Sequence, residues 1–248
     1  MAVTSLTELW HEIVNTQADP PQWLIFGTGA AALLAVAPRP IWRLTRNAVT
    51  IAHEGGHALV ALCTGRRLSG IRLHADTSGV TVSYGKPRGP GMVFTAMAGY
   101  VAPALLGLGG AALLGTGHIT ALLWACVVLL ALMLLMIRNW YGVLALVATG
   151  AIVFGVTWAA TSQVQAAFAD FAVWFLLFGG VRPVFELQWQ RSRGRAPQSD
   201  ADQLAKLTGV PGLAWVLLFG VVALGSALLG AHWLVPEWSK HITLPHVS

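Results

Sequence analysis

The sequence predicts an all-α polytopic membrane protein, a bundle of about 6-7 transmembrane helices with a small β-hairpin after the helix that carries His53-Glu54-Gly55-Gly56-His57. Three observations lead there. Hydrophobic residues make up 56% of the chain and charged residues 10%, where soluble domains average about 25% charged, and mean hydropathy is +0.66. Long apolar runs are separated by short punctuation of Arg, Pro and Gly. Between two such runs a single stretch alternates apolar and polar residues, the period of a strand.

In chain order, the polar, mildly acidic lead over residues 1–20 predicts a short interfacial helix and a turn ending at Asp19-Pro20-Pro21. It holds Glu8, Glu12 and Asp19 with no Lys or Arg, so no cleavable signal peptide is expected. A first span covers about 22–37 and stops at Pro38-Arg39-Pro40. The second, 47–64, bears the histidines and ends at Gly65-Arg66-Arg67. Residues 68–89 contain Ile71-Arg72-Leu73-His74, a turn at Asp76-Thr77-Ser78-Gly79 and Val80-Thr81-Val82-Ser83-Tyr84, which predicts the hairpin.

The third span, 91–115, is rich in Gly and Ala, residues that let backbones approach closely in lipid, and is expected to pack on the histidine helix. Spans at 119–137, 141–158 and 166–182 follow, the last interrupted by Asp170 and closed at Arg182-Pro183. A polar loop occupies 188–208, with Ser199 as N-cap of a short helix through Leu207. A last span covers 212–234, and residues 235–248 read as a loose tail. The whole chain, 1–248, reads as one membrane-embedded domain.

The net charge of +5 lies in short inter-helix segments, so it is an orientation signal and not a nucleic-acid footprint. With seven spans and a cytosolic N-terminus, Arg66, Arg67, Arg72, Lys86, Arg88, Arg138, Arg182, Arg191, Arg193, Arg195 and Lys206 fall in the cytosol. Only Arg39, Arg43, Arg46 and Lys240 fall outside, which favours that topology. The acidic lead and trailing arginines of the first span, taken alone, prefer the opposite one. Trp23, Trp140, Trp158, Trp189, Trp233 and Trp238 fit an interfacial belt. Cys63 and Cys126 lie in apolar runs and read as small core residues.

The chemistry concentrates at His53-Glu54-x-x-His57. Residues i and i+4 share a helix face about 5–6 Å apart, so both imidazoles reach one metal ion. Glu54 beside them can take a proton from water whose pKa zinc lowers to about 7. Ionisable groups are costly in an apolar helix, and their presence there points to function. His74, His118, His232, His241 and His246 lie in loops or at span ends and read as bystanders. A catalytic zinc takes three protein ligands as a rule. Asp170, at a depth matching His53, and Asp200 and Asp202, in the polar loop, are the available carboxylates.

The HExxH helix, the following hairpin with Gly79-Val80-Thr81-Val82-Ser83 and the span with Ala98-Gly99-Tyr100 resemble the M50 group of metalloproteases, the site-2 protease relatives. The likeness is to the M50B-like branch, whose Arg-Asn, Gly-Gly-Val-Arg and Ser-Asp-Ala elements read here as Arg138-Asn139, Gly179-Gly180-Val181-Arg182 and Ser199-Asp200-Ala201. Site-2 proteases take their third ligand from an Asp-Gly motif, which this chain lacks. Following the Ser-Asp-Ala element, the resemblance implies His53, His57 and Asp200 as ligands of Zn²⁺ and Glu54 as base. It implies a multi-pass zinc metalloendopeptidase of the cell (plasma) membrane, cutting membrane proteins or peptides within the lipid bilayer. Val80 to Tyr84 would receive the unwound substrate as an added strand, and Asn139 reads either as a hydrogen-bond partner of substrate or oxyanion or as a helix-end polar residue beside Arg138. The rival is a non-catalytic scaffold, an inactive protease relative, or a transporter-like bundle; no duplicated halves are visible.

Overall fold

A computed structural model describes residues 6–18, 20–196 and 198–235. Among them lie ten helices and two strands: α1 (Leu6–Val14), α2 (Gln22–Val36), α3 (Arg39–Thr45), α4 (Asn47–Cys63), β1 (Arg67–Leu73), β2 (Gly79–Tyr84), α5 (Pro90–Gly115), α6 (Ile119–Met136), α7 (Trp140–Ala159), α8 (Ser162–Ser192), α9 (Asp200–Thr208) and α10 (Gly212–Leu234). Five of them, α5, α6, α7, α8 and α10, are long and apolar enough to cross a membrane, and the bent pair α2–α3 makes a sixth. The predicted helical bundle with a hairpin after α4 is the observed one. Asp19, Pro197 and the tail from 236, with Trp238, Lys240, His241 and His246, lie outside the described residues.

Of the segments read as crossings over 22–37 and 47–64, the first continues into the bent pair α2–α3 and the second, α4, falls short of the length of a crossing helix. Gln17 N–H donates to the Gly117 carbonyl at 2.8 Å, so α2 starts beside the α5–α6 turn. Its end meets α8, where Arg182 Nη1 donates to the carbonyls of Val36 and Ala37, the latter at 2.8 Å. At that level α8 abuts the middle of α5, Gly180 against Ala104, about 21 Å from Pro90 at 1.5 Å per residue. There α3 turns by 97°. Then α4 runs from Val49, against Gly179, to Thr64, against Gly91 at the start of α5. With 17 residues it is about 26 Å long and tilted, too short to cross a core of about 30 Å by itself. By length and composition the described residues offer five candidate crossings, or six with the bent pair α2–α3, and α4 is not among them.

A broken helix survives at depth only if its freed carbonyls find donors. Here the Arg182 guanidinium supplies two of them, and Thr45 Oγ1 donates to Ala35 O at 2.8 Å. Trp42, 1% exposed, lies beneath Arg182 and Arg46 at 5.0 and 5.8 Å. Glu186 accepts from Arg182 at 2.9 Å and lies 3.8 Å from Arg46. The joint is a compact knot of charge, hydrogen bonds and one aromatic face.

The span expected over 166–182 runs from Ser162 to Ser192, straight through Pro183. A proline within a helix loses one N–H bond and crowds the carbonyl four residues back. That residue is Gly179, and the Arg182–Glu186 pair ties the turns across the proline.

The first core cluster joins α2, α5, α6 and α8 around Ala32, Trp42, Val173 and Leu177. A second joins α5, α8, α9 and α10 around Ala104, Leu204 and Phe219, and a third joins α4, β1, α6 and α7 around Ile71, Leu73 and Leu146. As expected, α5 packs directly on α4. Gly56 approaches so closely that a Cβ there would overlap the Ala102 methyl and the Ala98 carbonyl. Cys63, expected in the core, is exposed at the end of α4, and Cys126 is half-buried; both are free. Trp23, Trp140, Trp158, Trp189 and Trp233 are all exposed near helix ends.

The strands pair antiparallel from Arg67↔Tyr84 to Leu73↔Gly79, with a bulge between Leu68 and Gly70. The outer edge of β1 is covered. Ile71 bridges Ile137 in parallel and accepts from Arg138 N–H at 2.9 Å. Asn139 accepts from Leu73 N–H at 3.1 Å and donates to Leu73 O at 2.6 Å. The hairpin tip is tied to α4 by Thr50 Oγ1, which donates to Thr77 O at 2.8 Å. Among the described residues no main-chain partner covers the outer edge of β2, where Val80, Val82 and Tyr84 are 47%, 40% and 65% exposed.

Candidate metal centre

The motif lies in the middle of α4, where helical periodicity sends both imidazoles toward α5. His57 Nδ1 donates to the main-chain oxygen of Thr95 at 2.6 Å. A carbonyl can only accept, so Nδ1 carries the hydrogen and Nε2 of a neutral ring is left as the electron-pair donor. That Nε2 lies 3.1 Å from Nε2 of His53. The His53 ring stands edge-on to Tyr100 at 4.9 Å, and Tyr100 stacks on Phe219 of α10 at 5.1 Å. Gly99 faces both rings, and a Cβ there would collide with Nε2 of each.

The acid comes from the polar loop. Asp200 is the first residue of α9, and its Oδ2 lies 3.3 Å from Nε2 of His53 and 3.3 Å from Nε2 of His57. The preceding Ser199 caps α9 and accepts from Asp202 N–H. Asp202 is paired with Arg191, and Arg191 also donates to Ser199 Oγ at 3.3 Å. One guanidinium at the end of α8 therefore holds the first turn of α9 over the histidines. Burial by itself would raise the Asp200 carboxyl. Hydrogen bonds from His53 and His57, with the charge of both rings, outweigh that and hold it well below the ordinary carboxylate range.

Two nitrogens and one oxygen form a nearly equilateral triangle with edges of 3.1, 3.3 and 3.3 Å. Ligands about 2.05 Å from a tetrahedral zinc stand about 3.3 Å apart. The three donors fit that ion and leave the fourth position free. His53, His57 and Asp200 form a group able to hold a metal among the described residues.

Glu54 is beside them and 4% exposed. It lies under β2, where Thr81 Oγ1 is 2.7 Å from Oε2 and 3.1 Å from the Glu54 main-chain oxygen.

The structure thus brings together His53, Glu54, His57 and Asp200. It keeps the other two aspartates apart. Asp202 is engaged with Arg191. Asp170, 2% exposed, lies one turn before Val173, which packs at Gly110; from Gly99 that is eleven residues, about 16 Å along α5. Its Oδ2 has no hydrogen-bond partner among the described residues. The depth match to His53 fails because α8 continues past Arg182, so Arg182 does not mark its end. Asn139, expected near substrate, has its amide spent on the main chain of Leu73. His74, His118 and His232 stand outside the group. Gly99, Thr81 and Arg191 were not singled out as site residues; the first two stand in the stretches that carried the resemblance, and no local signal marks Arg191.

A family model described as Peptidase M50B-like matches residues 26–230, from within α2 to near the end of α10. No curated protein and no solved structure matches the chain.

Proposed function

The chain belongs to the Peptidase M50B-like family, and from that premise we propose that it is an intramembrane zinc metalloprotease, a site-2 protease-like enzyme acting on membrane-spanning polypeptides. The observation that carries the reading is the triangle of His53 Nε2, His57 Nε2 and Asp200 Oδ2, with edges of 3.1–3.3 Å. Those three residues would hold Zn²⁺. When bound, zinc supplies a Lewis acid for the scissile carbonyl and lowers the pKa of a coordinated water to about 7.

The chain's own groups do the rest. Glu54, buried beside the triangle, takes the proton of the attacking water and passes it to the leaving amine. Thr95 and Tyr100 hold the two imidazoles in orientation. The open edge of β2 accepts the substrate as a strand, which satisfies main-chain groups that lipid cannot. Exposed Val80 and Val82 suit an apolar segment. A substrate helix must unwind to bind there, so segments rich in Gly, Pro or Asn are the preferred targets.

For the orientation we take α2, α3 and α4 together as one broken crossing, which makes six with α5, α6, α7, α8 and α10. Ten of the eleven Lys and Arg from Arg66 to Lys206 fall on the hairpin side, Arg182 lying deeper at the α2–α3 joint, and the lead with Glu12 falls on the other. The positive-inside rule then puts the hairpin and α9 in the cytosol and the N-terminal lead outside, in the cell (plasma) membrane. The acidic lead and trailing arginines of the first span prefer the same arrangement.

Metal content of purified protein tests the centre. Wild type should carry one zinc and His57→Ala none; equal zinc in both would remove the enzyme reading. Glu54→Gln should keep the zinc and abolish cleavage, and undiminished cleavage would displace Glu54 as the base.

A further inference from the structure

We infer that Thr81 is a positioning residue for Glu54: its hydroxyl holds the base from β2, so the strand that offers its edge to substrate also sets the geometry of proton abstraction. This deepens the protease reading and rests on it. Glu54 is 4% exposed, and Thr81 is its one side-chain hydrogen-bond partner among the described residues. Thr81 Oγ1 is 2.7 Å from the Oε2 carboxylate oxygen and 3.1 Å from the Glu54 main-chain oxygen. A hydroxyl has one proton, and the shorter contact to a charged acceptor takes it.

The strand is shaped for this contact. At Gly79, two residues before Thr81, a Cβ would lie 2.5–2.7 Å from Cγ, Oε1 and Cδ of Glu54. Only a glycine lets the carboxylate pass so close beneath β2. Below it, Thr50 Oγ1 fastens the tip through Thr77 O at 2.8 Å. Thr50 and Glu54 are one helical turn apart on α4, and Thr77 and Thr81 are four residues apart on the hairpin, so the two elements are laced at two levels. Strand addition at β2 then tightens the element that aims Glu54. Water is activated when a peptide is in place.

The test uses full-length zinc-loaded protein in detergent, as wild type, Thr81→Val, Thr81→Ser and Glu54→Gln. Infrared spectra identify the Glu54 carboxylate band as the one lost in Glu54→Gln. That band should shift in Thr81→Val and stay in place in Thr81→Ser, with zinc content equal throughout; an unshifted band in Thr81→Val overturns the contact. Cleavage is followed on a quenched-fluorescence peptide whose apolar stretch is broken by Asn-Pro. Thr81→Val should lose about 10- to 100-fold in kcat with KM within about twofold, and Thr81→Ser should recover most of it. A rise in KM alone, or an equal loss in the serine variant, marks a purely structural strand contact and overturns the role. Wild type that neither holds zinc nor cuts the peptide defeats the protease reading itself, while the infrared result still decides the contact.

Discussion

Nδ1 of His57 and the main-chain oxygen of Thr95 are 2.6 Å apart, and this contact between α4 and α5 determines which face of the imidazole is offered to a metal. Backbone oxygens behind metal-binding histidines fix tautomer and ring orientation. Here the anchor is part of the α5 helix, so it cannot be removed by changing a side chain.

That arrangement predicts an Nδ1–H tautomer for His57. Nitrogen-15 NMR of labelled, zinc-loaded protein at pH 8 should show Nδ1 carrying the hydrogen and Nε2 without one. A bare Nδ1 would contradict the geometry.

Asp200→Ala should weaken zinc binding by more than about 100-fold, since even outer partners of metal ligands are worth about 10–100-fold. Asp170→Ala should leave affinity within about twofold, because Asp170 lies well removed along the bundle. Competition with a zinc chelator measures both.

Gly99→Ala should abolish zinc binding without unfolding the bundle. The added methyl overlaps Nε2 of both His53 and His57, and the rings must swing away from each other. Zinc content with circular dichroism separates lost coordination from lost fold.

Arg191→Ala should cost about 10–100-fold in zinc affinity although Arg191 touches no proposed ligand, because it releases Asp202 and Ser199 and loosens the start of α9. Hydrogen exchange should speed up in α9 and remain unchanged in α4. Arg191→Lys should restore only part, since an ammonium lacks the planar fork.

Two pH dependences follow. The Asp200 carboxyl is held down by the histidines against the opposing pull of burial, so its stabilising contribution is present above its unfolded pKa, about 3.9, and is lost only as pH falls through the lower folded value. It stays ionised across pH 5–8. The imidazoles must be neutral to coordinate, so zinc affinity should fall on acidification on account of the histidines and not of Asp200. At the hairpin tip, the hydroxyl and then the main-chain N–H of Ser78 hold the Asp76 carboxyl below its ordinary value. Protection of the Ser78 amide should therefore be flat from pH 8 to 5 and fade only below about pH 4.

Much of this was legible in the sequence because it is local. The four-residue spacing of His53 and His57, the alternation of Val80 to Tyr84, the small residues of α5 and the Ser199 cap each report on their own neighbourhood. Depth is not local. The segments 22–37 and 47–64 each read as a span, whereas the first bends by 97° into α3 and the second packs along half of α5. The run to Ser192 was hidden by Pro183. Asp170 matches His53 in depth only if its helix ends at Arg182, and α8 runs on to Ser192. Asn139 carried no sign that Leu73 would claim its amide. Asp200 was reached through the Ser-Asp-Ala element; nothing in the local pattern says that α9 folds back over α4.

The broken crossing also bears on how the protein is made. During synthesis α4 leaves the ribosome before α5, carrying two histidines and a glutamate on a stretch too short to be inserted unaided. Its polar face is sheltered only by α5, which comes later in the chain and packs closely on it. The reaction centre is therefore a late product of biogenesis, closed only when α9, near the carboxyl end of the nascent chain, folds back over it. A chain stalled before residue 200 would lack the Asp200 corner of the His53–His57–Asp200 triangle.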